Sequence, residues 1–76
     1  MPHVQVKLYP GRTEAQKQRL AAEIVKVVVA VARCEEKNVS VAIEDVAPEQ
    51  WDEKVYLPDI VNKRETLYKK PAYGDR

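Results

Sequence analysis

Residues 25–32, VKVVVAVA, decide how this chain folds. Valine favours strands, because its branched Cβ crowds the preceding turn of a helix. Taken alone the segment is a candidate strand. Its surroundings point the other way. Thr13 reads as a helix N-cap, and Gln16, three residues on, supplies the return half of a capping box. From Glu14 to about Arg33 the apolar residues Leu20, Ile24, Val27, Val28 and Val31 form one stripe, with Lys17, Glu23 and Lys26 away from its centre. The cap and the length favour a helix.

Working outward, residues 2–9, PHVQVKLY, alternate with period two. Val4, Val6 and Leu8 point one way and His3, Gln5 and Lys7 the other, with Pro2 in register with the apolar set. Pro10 and Gly11 suit the central positions of a type II turn. After the helix, residues 34–38, CEEKN, interrupt the pattern. Residues 39–46, VSVAIEDV, then alternate again, with Val39, Val41 and Ile43 opposite Ser40, Ala42 and Glu44. Strand, long helix, strand is a βαβ unit, which requires parallel strands and a right-handed crossover. The expected fold class is therefore α/β (equally α+β), with two parallel strands and one long crossover helix per chain. Two strands do not make a stable sheet alone. A second copy would complete a four-stranded sheet with two helices across it.

Residues 1–46 form this core of a single domain, 1–76, and residues 47–76 its C-terminal extension. "APEQW" reads as a turn begun by Pro48 that presents Trp51, the only tryptophan. A second helix is expected from Asp59 to Lys69, with Ile60, Arg64 and Leu67 at helical spacing and a stop before Pro71. Its thin apolar stripe suggests docking on a neighbouring subunit or over a site mouth.

Size and composition narrow the classes of function. A chain of 76 residues buries a modest core and needs a second source of stability. Cys34 is the single cysteine, which excludes an internal disulfide, and with His3 the single histidine a zinc site of those ligands is excluded too. Self-association is left, with a homodimer preferred over a hexamer because the C-terminal segment covers surface that further assembly would need. Thirteen basic against twelve acidic residues give a net charge of +1, which offers no general field for nucleic acid or a membrane surface. No apolar run is long enough to span a bilayer, the N-terminus lacks a signal-peptide layout, and a free cysteine fits a reducing compartment, so a cytoplasmic location is expected. Gly-rich phosphate loops, nucleophile elbows and HExxH are absent, and neither cofactor nor metal is expected.

Most single residues read as ordinary surface or packing. His3 and Cys34 lie on different elements without a third partner. Glu35 with Glu36, and Glu44 with Asp45, sit at element ends as solvated charges, and Lys69 and Lys70 are interspersed with Asp59, Glu65 and Asp75. Arg12 lies near the end of the first strand, where ligands collect in open parallel sheets, and its guanidinium suits a bidentate grip on a carboxylate. On position alone it is also a solvent-facing loop arginine. Trp51 serves as core filling, a subunit contact or the wall of an apolar pocket. Pro2 begins a strand without cost to the ladder. Once Met1 is removed, however, its ring nitrogen becomes a secondary amine on the apolar side of the sheet.

The combination of these features resembles the 4-oxalocrotonate tautomerase family. "MPHVQVKLYPGRTEAQKQRL" is similar to the family's opening, "NVSVAIEDVAPEQW" to its second strand and following turn, and "VYLPDIVNKRETLYKKPAYG" to the longer tail of some bacterial members. The resemblance implies an isomerase that interconverts enol and keto forms of a 2-oxo acid. Pro2 would be the general base, Arg12 the carboxylate binder and Trp51 a wall where the family often has phenylalanine. Ser40 stands where the best-known members carry a second arginine, which shifts the expected substrate from a dicarboxylate to a monocarboxylate such as an arylpyruvate-type enol. A free α-amine titrates near a pKa of about 8, and desolvation beside Trp51 together with the charge of Arg12 would favour its neutral, basic form. Two alternatives keep the fold: Pro2 acting as an acid in a hydration or dehalogenation-type reaction, and a non-catalytic oligomeric binding module with a vestigial site.

Overall fold

In a computed structural model, which describes residues 1–74, the chain runs β1 (His3–Leu8), α1 (Glu14–Ala32), β2 (Ser40–Asp45), and then three short elements. These are a 3₁₀ turn at Pro48–Gln50, a π-helix at Asp52–Val61 and a 3₁₀ turn at Arg64–Thr66. Asp75 lies outside the described residues.

The valine-rich segment is helical, and the capping box starts it. Gln16 N–H donates to Thr13 Oγ1 at 3.1 Å, and Thr13 N–H donates to Gln16 Oε1 at 2.8 Å, so two donors at the helix start are satisfied reciprocally. Before it the chain bends at Pro10 and passes through Gly11 at φ +130°, a conformation that favours glycine. The helix ends at Arg33 in the left-handed region, φ 60°, with its N–H on the Val29 carbonyl. Cys34 fills the helix end, half-buried, with its thiol 3.9 Å from the Val28 carbonyl.

β1 and β2 pair in parallel in the register Val4 with Val41 and Val6 with Ile43. Partnered residues share a face. One face carries Val4, Val6, Leu8, Val41 and Ile43, all half-buried, and ends at Asp45, which Lys17 of α1 reaches at 2.9 Å. α1 therefore crosses this face. The other face carries His3, Gln5, Lys7 and Glu44. Lys7 Nζ donates to Asp59 at 2.6 Å and lies 3.4 Å from the Lys54 carbonyl, so the π-helix covers that face.

Two expectations are corrected. The second helix does not run from Asp59 to Lys69. It begins at Asp52, directly after the Trp51 turn, and ends at Val61. Pro58 lies inside it, and the winding is wide: Asn62 N–H bonds the Leu57 carbonyl, five residues back. In this winding the N–H that Pro58 lacks would face the carbonyl five residues back, that of Glu53. The α1 stripe is also redrawn. Ala21, Ile24, Val25, Val28 and Val29 are half-buried, whereas Leu20, Val27 and Val31 stand exposed at 38%, 60% and 77%.

Among the described residues the buried side chains are Val46, Val55 and Tyr56, at the end of β2 and in the π-helix; α1 contributes none. The accessible surface is 6083 Å², against about 4,700 Å² expected of a folded monomer of 8.7 kDa. The radius of gyration, 13.9 Å, exceeds the roughly 11 Å expected of a compact domain of this length. A single chain is thus a slab with uncovered apolar surface. No helix among the described residues is long and apolar enough to cross a membrane.

Thr13→Ala removes the acceptor that starts α1 and is expected to lower unfolding stability by about 1 kcal/mol. Chemical denaturation followed by circular dichroism at fixed protein concentration measures it.

Candidate active site at the carboxyl end of the first strand

β1 delivers Leu8 and Tyr9 to the carboxyl end of the sheet, the Gly11 bend places Arg12 beside them, and the Pro48 turn brings Trp51 across from β2. These residues line a cleft of about 710 Å³, with Lys7, Glu49, Asp52 and Tyr73 completing its walls. Its size falls in the range of small-molecule sites.

The aromatic wall is fixed at two points. The rings of Tyr9 and Trp51 meet edge to face, with centroids 5.1 Å apart at 90°. The Trp51 indole N–H donates to the Tyr73 hydroxyl at 3.0 Å. Arg12 donates from Nη1 to the Tyr9 carbonyl at 3.1 Å, which ties the guanidinium to the bend. The cleft therefore joins a planar cation, which grips carboxylates bidentately, to an aromatic surface. The second cation, Lys7, is engaged by Asp59, and both side chains are about a quarter to a third exposed. A second cavity of about 530 Å³ lies between Gln5, Lys7 and the π-helix, and shares Lys7 and Trp51 with the first.

Of the four residues expected at a site, the structure groups Arg12 with Trp51 and separates both from Pro2 and Ser40. Pro2 and Ser40 are at the opposite, amino end of the strands, where Ser40 N–H donates to the Pro2 carbonyl at 3.1 Å and the Ser40 hydroxyl is 2.6 Å from His3 Nδ1. At about 3.3 Å per strand residue, Pro2 and Tyr9 are roughly 23 Å apart. Within one chain, therefore, Pro2 is not a neighbour of Trp51 or Arg12. Pro2 is nonetheless half-buried, as its register with the apolar set requires. Tyr9, Lys7 and Tyr73 were not singled out by sequence reasoning. Tyr9 carried a signal, an aromatic directly before the bend that positions Arg12. Tyr73 carried none beyond its glycine neighbour. Among the described residues no cluster of His, Cys, Asp and Glu is arranged to hold a metal.

This parallel βαβ unit, with a cationic and aromatic cleft at the carboxyl end of its strands, is shared by known proteins of one class, the small tautomerases. The family described as "Tautomerase enzyme" matches residues 2–52. Tautomerase PptA of Cronobacter sakazakii is 42% identical over 74 residues, covering 96% of this chain and 97% of that protein. A probable tautomerase of Xylella fastidiosa is likewise 42% identical, with 97% and 90% covered. Among solved structures, a 4-oxalocrotonate tautomerase isozyme of Methylibium petroleiphilum is 34% identical with a TM-score of 0.62, over 66% of this chain and 81% of its own. The chain belongs to the tautomerase family, and it is an enzyme of the isomerase class.

The Lys7–Asp59 pair joins β1 to the π-helix. In a double-mutant cycle of Lys7→Met and Asp59→Asn, a coupling of about 1 kcal/mol is expected at low salt, falling as ionic strength rises. Urea unfolding at two salt concentrations reads it.

Proposed function

We propose that this enzyme ketonises the enol of a 2-oxo monocarboxylate, with the Pro2 amine as base after loss of Met1 and Arg12 as the carboxylate binder. The observation that carries the reading is the cleft itself, in which Arg12 and the Trp51 wall meet in one concavity. In the reaction the Pro2 nitrogen takes the enol O–H proton. The electron pair shifts to leave a carbonyl, and the resulting ammonium returns a proton to the carbon next to it, so nothing is consumed. Arg12 holds the carboxylate and orients that carbon. Ser40, on the amino end with Pro2, is assigned to the substrate's oxygen side in place of a second arginine.

Pro2 and Arg12 work together only across two chains. In a two-fold dimer each patch meets its own copy in reverse. If the free edge of β1 pairs antiparallel with a second β1, centred on Gln5 so that opposed residues share a face, Pro2 of one copy comes opposite Leu8 of the other, a residue that lines its Arg12 cleft. The excess apolar surface and the exposed Leu20, Val27 and Val31 stripe support such association. The π-helix over the Lys7 face supports a dimer over a larger ring.

With untagged protein whose intact mass has lost one methionine, an arylpyruvate enol should be ketonised, and kcat/KM should rise with pH as the amine is deprotonated. A fall with pH overturns the base in favour of the acid reading, and no turnover at high enzyme concentration favours the binding module. Arg12→Ala is expected to lose roughly 100-fold in kcat/KM, from a charge-assisted contact worth about 2–3 kcal/mol.

The shared site has its own check. A chain extended before Pro2, so that its nitrogen is an amide, and an Arg12→Ala chain should each be inactive or nearly so. Unfolded together in equal amounts and refolded, they should recover about a quarter of parental activity, because half the dimers are mixed and each mixed dimer holds one intact site. No recovery would mean that both residues act within one chain.

A further inference from the structure

The tail after the π-helix returns to the cleft and ends in two anchors. Tyr73 accepts the Trp51 indole N–H at 3.0 Å, and the neighbouring Gly74 accepts a hydrogen bond from the hydroxyl of buried Tyr56. The Tyr56 and Tyr73 rings lie 6.0 Å apart. Gly74 adopts φ +73°, and a Cβ there would fall 2.5 Å from the Tyr56 ring, so this anchor needs glycine on both grounds. The segment is therefore seated by specific contacts. Its seat is on the core side, at Tyr56, and its working end is on the cleft side, at Tyr73.

Trp51 has two sides that matter. Its ring edge contact with Tyr9 leaves rotation about the side-chain bonds to be fixed by something else, and the hydrogen bond to Tyr73 supplies that second point. Without it, a half-buried indole at the end of a 3₁₀ turn keeps only one ring contact.

We propose that the C-terminal strap is a specificity element of the site, in which Tyr73 orients Trp51 and with it forms the wall that selects carboxylates bearing a planar aromatic group. The inference rests on the proposed role of Arg12 as carboxylate binder but not on Pro2 as base. Tyr73 is a positioning residue here: it acts through Trp51 and through the shape of the wall. Aliphatic carboxylates engage Arg12 alone and are indifferent to it.

The test is binding, read by the fluorescence of the single tryptophan, in the dimer as it forms, with phenylacetate and propionate as probes. For Tyr73→Ala the dissociation constant for phenylacetate should rise about tenfold while that for propionate stays within twofold. Tyr73→Phe, which keeps the ring and loses the hydroxyl, should show about a threefold rise for phenylacetate. Gly74→Ala, which touches no ligand, should reproduce the Tyr73→Ala pattern by unseating the strap. Circular dichroism of all three variants checks that the fold is retained. Equal losses for both probes would overturn the proposal, because the strap would then serve Arg12 or the fold at large. Unchanged phenylacetate affinity in Tyr73→Ala would overturn it as well. A selective loss in an enzyme that ketonises no enol would leave the strap standing and remove the catalytic reading instead.

Discussion

A parallel strand pair cannot be closed by a tight turn, and the geometry of this site follows from that constraint. β1 and β2 start at the same end of the sheet and finish at the same end, with α1 carrying the chain back between them. Everything that precedes a strand therefore gathers at one edge, namely Pro2, His3 and Ser40. Everything that follows a strand gathers at the other: the Gly11 bend with Arg12, the Lys17–Asp45 pair that pins the helix start to the end of β2, and the Pro48 turn with Trp51. The distance between Pro2 and Arg12 is a consequence of topology rather than of loop detail. No side-chain rotation within one chain removes it.

The same topology leaves surface to cover. A single crossover helix spans one face, and here it uses residues 21, 24, 25, 28 and 29 to do so, leaving Leu20, Val27 and Val31 outward. β-branched residues in a helix interior cost some intrinsic propensity. The cost is offset when two faces of the helix, rather than one, are given apolar partners. On this view the valines that made the segment resemble a strand report a helix meant to be covered on both sides. The surface excess over a compact monomer, about 1,400 Å², is larger than the 800 Å² or so that one partner contributes to a standard interface.

How much of this was legible in the sequence depends on the range of the cause. The strands were legible because alternation is a two-residue property, and α1 because Thr13 and Gln16 reach across only three positions. The π-helix was not. The rule that proline ends a helix assumes α-helical spacing, and nothing near Pro58 announces the wider winding. Nor was the division of the site. Alternation assigns Pro2 to a face of the sheet, and the bend assigns Arg12 to an end; proximity between them belongs to an assembly, which one chain's sequence does not describe. Tyr73 was hidden for a similar reason, since its partner Trp51 lies twenty-two residues away across an irregular segment.

The charges around the cleft bear on which acid it would take. Lys7 and Arg12 are its cations, Glu49 and Asp52 its anions, and Asp59 already neutralises Lys7 from the π-helix side. A monocarboxylate brings one negative charge to the one guanidinium that can meet it in a fork. A second carboxylate would need another cation, and Ser40, at the amino end, offers a hydroxyl already within hydrogen-bond distance of His3. It would also approach Glu49 and Asp52, adding like-charge repulsion in a site with low-dielectric aromatic walls. On the proposed reading, the remainder of a monocarboxylate would meet Tyr9, Trp51 and Tyr73, the aromatic part of the cleft lining. The pairing of Lys7 with Asp59 thus fastens the C-terminal helix to the sheet and, on the proposed reading, would leave Arg12 as the cation that meets the carboxylate.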